Sequence, residues 1–155
     1  MTVSMDIKGA VISDCEKYRY ELWRIWDNNK PNVMFIMLNP STADADANDP
    51  TIRRCIGYAK SWGYGGLYVG NLFGFRATNP KDLKGIANPI GADNKIHLEH
   101  MQSKCKLIVC AWGHGEGKPE RIFKKFDNLN YIALCKDGTP KHPLYLKKEL
   151  MPKPF

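Results

Sequence analysis

The six consecutive apolar residues Val33 to Leu38, VMFIML, constrain this 155-residue chain more than any other feature. The run has strand length but lacks the apolar and polar alternation of a strand with one wet face. Such a strand is buried on both sides, so the sheet that holds it must be covered on both faces. Polar turn formers bracket it, Asn28-Asn29-Lys30-Pro31 before and Asn39-Pro40-Ser41 after. Further strands are predicted at Leu67 to Leu72 and Lys106 to Trp112, with a short final one at Tyr131 to Leu134.

Between these runs the period changes. Ile52, Cys55, Ile56, Ala59 and Trp62 fall at helical spacing and predict a helix over Thr51 to Trp62. Asp49 is its expected N-cap and Pro50 its first residue, and Gly63, Gly65 and Gly66 end it. A second helix is predicted over Ala92 to Ser103, and a basic one opens at Pro119. Upstream, Gly9 to Ser13 and Tyr18 to Trp26 flank the turn-like Asp14-Cys15-Glu16 and predict a hairpin. Strands alternating with helices imply parallel pairing through right-handed crossovers. The expectation is a single three-layer αβα domain over residues 1–155, with a mainly parallel central sheet and an N-terminal β-hairpin.

Composition narrows the function classes. A 43% hydrophobic content supports one continuous core. The longest apolar runs are far short of the ~20 residues of a membrane helix. The opening MTVSMDIKGA lacks the basic and apolar regions of a signal peptide, so a cytoplasmic location without membrane contact is expected. Five scattered cysteines, an odd number without C-x-x-C spacing, predict free thiols and argue against a structural zinc or iron–sulfur site. A net charge of +7 makes nucleic acid or a nucleotide a plausible partner, because a basic surface gains affinity by releasing phosphate counterions. No cofactor is expected, and the chain is expected to act as a monomer.

In an open α/β sheet, ligands bind beyond the carboxyl ends of the strands. That rule selects the loops Asn39 to Pro50, Asn71 to Asn79, Gly113 to Gly117 and Lys136 to His142. Several motifs can be set aside. Asp44, Asp46 and Asn48 resemble the start of a calcium loop, but Asp49 stands where that loop needs glycine and Cys55 where it needs a bidentate glutamate. A looser metal site on Asp44, Asp46 and Asp49 would suit a metal-dependent phosphoesterase, against the plainer role of a solvated acidic loop. The Gly113 to Lys118 run, GHGEGK, has the wrong spacing for a phosphate loop, and Pro119 replaces its magnesium-binding hydroxyl. Its amides and Lys118 could still hold a phosphate at the following helix start. His97 and His100 share a helical face, a pairing more often surface than metal site.

Three motifs coincide at strand ends: MLNPSTAD, VGNLFGFRAT and GTPKHPLYL. With DPTIRRC and WGYGGL they resemble, over nearly the whole chain, a family of small bacterial and phage proteins described as a domain of unknown function. The order of L-N-P after one strand, asparagine ending the next, and a late H-P is also distantly similar to the uracil-DNA glycosylase superfamily. That resemblance implies a uracil-DNA glycosylase-like fold and hydrolysis of an N-glycosidic bond to a uracil-related or modified base. Asn39 would position the attacking water, Asn71 would read the base edge, and His142 would stabilise charge on the departing base. Phe73, Phe75 or Tyr145 would stack on a flipped base, and Arg53, Arg54 and Arg76 are candidates to grip phosphates, with pairing of Arg53 or Arg54 to Asp49 or Asp46 as the other reading. The sequence departs from the superfamily at Met37, where motif one is glycine-rich, and at Leu144-Tyr145, where the usual ending is H-P-S-P. A non-catalytic module binding nucleic acid or a nucleotide in the same cleft is the alternative.

Overall fold

The computed structural model describes residues 6–114 and 128–155. Among these residues seven strands form one sheet: β1 (Ile7–Ile12), β2 (Arg19–Ile25), β3 (Asn32–Met37), β4 (Gly66–Asn71), β5 (Leu107–Cys110), β6 (Leu129–Tyr131) and β7 (Lys153–Pro154). Their spatial order is β1-β2-β4-β3-β5-β6-β7. The ladders joining β4, β3, β5 and β6 are parallel, and those of β1 with β2, β2 with β4 and β6 with β7 are antiparallel. The sheet is therefore mixed, which corrects the expectation of a mainly parallel one. Its physical reason is that the N-terminal hairpin does not stand apart: β2 pairs with β4, and the chain end returns to pair with β6.

The apolar run of β3 lies at the centre, and Val33, Met34, Phe35 and Ile36 are wholly buried. Strand alternation sends Val33, Phe35 and Met37 to one face and Met34 and Ile36 to the other. The first face packs on α1 (Pro50–Ser61) through Ile52, Cys55, Tyr58 and Ala59. The second packs on α2 (Asn94–Ser103) through Leu98 and Met101. Asp49 caps α1, its Oδ1 accepting the Ile52 N–H at 2.9 Å, and Pro50 opens the helix, both as expected. Gly63, at φ 84°, follows the helix end in the left-handed conformation that glycine adopts freely.

Gly70 has a packing role. A Cβ there would lie 2.6 Å from Leu98 Cδ2 and 2.7 Å from the Met101 methyl, so the tips of these α2 side chains fill the space that the glycine leaves against β4. On the opposite face the C-terminal segment is tied across α1. Tyr58 Oη donates to the Lys147 carbonyl at 2.6 Å and Trp62 Nε1 to that of Leu150 at 2.9 Å.

The strand expected at Tyr131 to Leu134 is β6 and runs instead over Leu129–Tyr131, β7 follows it near the end of the chain, and the basic helix expected from Pro119 lies outside the described residues. All five cysteines are free, with Cys55 and Cys110 buried and Cys15 exposed. Among the described residues no helix is long and apolar enough to cross a membrane.

Candidate functional site

A cavity of about 360 Å³ opens at the carboxyl ends of β3 and β4, on the α1 side of the sheet. Its walls include Arg19, Asn39, Asp49, Asn71, Trp112 and His142. The strand period explains how two amides arrive there. Val69 faces α1, so Asn71 two residues later points the same way beyond the apolar core; Asn39 likewise follows Met37. The loops after both strands stay joined, since the Leu72 N–H donates to the Met37 carbonyl and the Phe73 N–H to that of Leu38, both at 2.9 Å. Asn94, at the start of α2, holds the end of β4 by donating to the Asn71 carbonyl at 2.9 Å.

Asn71 is 1% exposed, yet neither its Nδ2 nor its Oδ1 has a hydrogen-bond partner among the described residues. A buried amide in that condition costs folding free energy, about 1–3 kcal/mol for each unsatisfied group. Here the amide lines a cavity, where a ligand can supply both a donor and an acceptor. Asn39 is half-buried and committed on one side: its Nδ2 donates to the Ala77 carbonyl at 2.7 Å and to that of Pro40 at 3.1 Å. Oδ1 is left as the acceptor for a third party.

His142 precedes a short 3-10 turn (Pro143–Tyr145), and its Nδ1 accepts the Leu144 N–H at 3.2 Å. That bond places the proton of the neutral ring on Nε2. Burial pushes the imidazole pKa below its ordinary value, and the Asp49 charge opposes the shift. His142 therefore offers a neutral N–H donor at pH 7.

Arg19 is a cation on the wall that sequence reasoning passed over as part of the hairpin. It is 2% exposed, donates from Nη1 to the Ala43 carbonyl at 3.1 Å, and has no partner for Nε among the described residues. Burial pushes its pKa down to about 10 and the Asp49 charge acts the other way, so it stays protonated at neutral pH. The Asp49 carboxylate is itself engaged, with Oδ1 on the α1 cap and Oδ2 accepting the Ala43 N–H at 3.4 Å. The signal for Arg19 was a charge inside a strand of aromatic and apolar residues, YRYELW. Trp112, buried at the end of the β5 segment, is the cavity's indole and was also missed.

The structure brings Asn39, Asn71 and His142 to one cavity and leaves the other candidates among the described residues outside it. Phe73 and Phe75 are not among the lining residues, and Phe75 packs edge-on against Tyr18 at 5.5 Å. Tyr145 is 93% exposed. Arg76 donates to the Glu16 carbonyl at 3.4 Å. Arg53 and Arg54 line a neighbouring groove of about 560 Å³ together with Lys148, and Leu144 borders both depressions. Lys118 lies outside the described residues. The acidic loop does not gather into a metal site: Asp44 accepts the Asp46 and Ala47 N–H groups, and Arg24 ties the loop down through the Asp44 and Ala47 carbonyls and Asn48 Oδ1. Among the described residues, Asp44, Asp46 and Asp49 do not form a group able to hold a metal ion.

Fold and site thus define a mixed α/β domain with a cavity at the ends of its parallel strands that presents amide, imidazole and guanidinium groups. The chain belongs to the family described as Protein of unknown function (DUF1643), whose sequence pattern matches residues 19–144. Neither the curated proteins nor the solved structures contain a significant match.

Proposed function

We propose that the cavity receives a nucleobase and that the chain is a DNA glycosylase-like hydrolase, acting on the N-glycosidic bond of a uracil-related or otherwise modified base. Asn71 carries the reading. A buried amide with both functions unpaired complements a base edge that offers an N–H beside a carbonyl: Oδ1 accepts from the ring N–H and Nδ2 donates to the carbonyl oxygen. The cavity volume lies within the roughly 300–1,000 Å³ usual for small-molecule sites.

The reaction breaks the bond between the sugar C1′ and the base nitrogen, whose electron pair leaves with the base. Water adds to C1′, and its proton ends on the departing base. Positive charge grows on the sugar and negative charge on the base carbonyl oxygens. His142 Nε2–H donates to one such oxygen, and the Arg19 cation lowers the energy of the anion from the same wall. Asn39 Oδ1 accepts from the attacking water and aims it. Trp112 takes the stacking role first expected of Phe73, Phe75 and Tyr145. A base in a duplex must be flipped out to arrive here, and the groove bearing Arg53, Arg54 and Lys148 suits the flanking phosphates.

Incubation with oligonucleotides carrying uracil and a range of modified bases, followed by mass spectrometry of the small-molecule fraction, tests the proposal. The expected result is a free base and a matching abasic site, with Asn39→Ala slowing release by about 10²–10³. Tight, salt-sensitive binding without release of any base would instead make the chain a binding module.

A further inference from the structure

His114, Cys135 and Asp137 lie outside the cavity on two different loops, and one ligand atom from each falls within 4.8 Å of the other two. The fold builds this convergence. Past β5, the Gly113 N–H donates to the Pro140 carbonyl at 2.8 Å, bringing His114 beside the turn after β6. That turn is closed by the Cys135 N–H on the Thr139 carbonyl at 2.8 Å and by the Gly138 N–H on the Cys135 carbonyl at 3.0 Å, with Gly138 at φ 85°. Thr139 fixes the carboxylate of Asp137, donating to Oδ1 from its hydroxyl at 2.6 Å and its N–H at 3.1 Å. Oδ2 then faces His114 Nδ1 at 2.9 Å.

An ion pair accounts for His114 and Asp137 but not for a thiol at the same point. Imidazole nitrogen, thiolate sulfur and carboxylate oxygen are together a zinc-type donor set, whereas calcium and magnesium select oxygen alone. Zinc bonds of about 2.0–2.3 Å separate neighbouring ligand atoms by roughly 3–4 Å, which small rotamer changes reach from the observed spacing. We propose that His114, Cys135 and Asp137 form a site for a single divalent ion of the zinc class, with the fourth position open to water. Bound metal clips the segment carrying Trp112 to the segment leading into His142, two walls of the cavity. The inference is independent of the reaction proposed above.

The test uses the full-length protein, reduced, freed of metal by chelation and titrated with cobalt(II). One equivalent is expected to saturate it, giving a thiolate-to-cobalt charge-transfer band and the visible bands of a tetrahedral centre, both erased by one equivalent of zinc. Cys135→Ser should remove the charge-transfer band, while Cys15→Ser, at an exposed thiol elsewhere, should keep it. His114→Ala, at an exposed side chain, should weaken cobalt binding by about tenfold or more. Absence of a thiolate band in the unmodified protein, or its persistence in Cys135→Ser, overturns the proposal.

Discussion

Asn71 holds both of its amide functions unpaired inside the fold, so stability and function pull against each other at this residue. An apolar side chain of similar shape removes the desolvation cost without leaving a partner stranded. Asn71→Leu should therefore unfold at higher denaturant concentration, gaining about 1 kcal/mol, while losing base release. A loss of stability in equilibrium urea unfolding would mean that the amide is satisfied in the folded chain. His142 makes a pH-dependent contribution whose sign follows from its lowered pKa. The folded chain takes up this proton less readily than the unfolded chain, so the contribution is fully present above the unfolded value of 6.5 and is lost as pH falls below it. His142→Asn keeps an acceptor for the Leu144 N–H but does not titrate. Between about pH 7 and 5 the variant should lose less stability than the parent chain; equal slopes would assign the titration to another group.

At the scale of elements, the seam between α2 and β4 is closely filled at Gly70. A methyl group 2.6 Å from Leu98 Cδ2 must turn the tips of Leu98 and Met101 aside from their rotamers, so Gly70→Ala should cost about 0.5–1.5 kcal/mol of stability. An unchanged unfolding midpoint would show that these side chains have free space to turn into. The elements legible in the sequence were those whose signals are local. Asp49-Pro50 announced α1, and the unbroken VMFIML announced a strand covered on both faces. β6 was displaced because asparagines hide it: Asn128 precedes the strand at φ 60°, and Asn130 within it spends its amide on the Ile108 and Asn128 carbonyls. β7 carries no hydrophobic pattern at all and exists through backbone pairing, with the Phe155 ring 4.8 Å from Tyr131. The antiparallel joining of β2 to β4 is a long-range choice that no local period encodes.

Across the whole molecule the same division separates what was legible in the site from what was not. Asn39, Asn71 and His142 could be found because strand-end position is a topological rule, and the fold brings all three to one cavity. Arg19 joins them from β2 and Trp112 from the segment after β5, and only the pairing of β2 with β4 and of β5 with β3 reveals it. The metal-ligand cluster was invisible for a similar reason, since His114 and Cys135 meet through the Gly113–Pro140 backbone contact rather than through a short motif. Three of the chain's cationic side chains, Arg53, Arg54 and Lys148, meet in the groove beside the cavity. The central claim is that the Asn71 amide meets the edge of a base, and nuclear magnetic resonance reports on that amide directly. Its side-chain NH₂ pair in a ¹H–¹⁵N spectrum, assigned by its disappearance in Asn71→Leu, should shift in a saturable manner as uracil or the released modified base is added. Signals that stay in place while other residues respond to the base would contradict it.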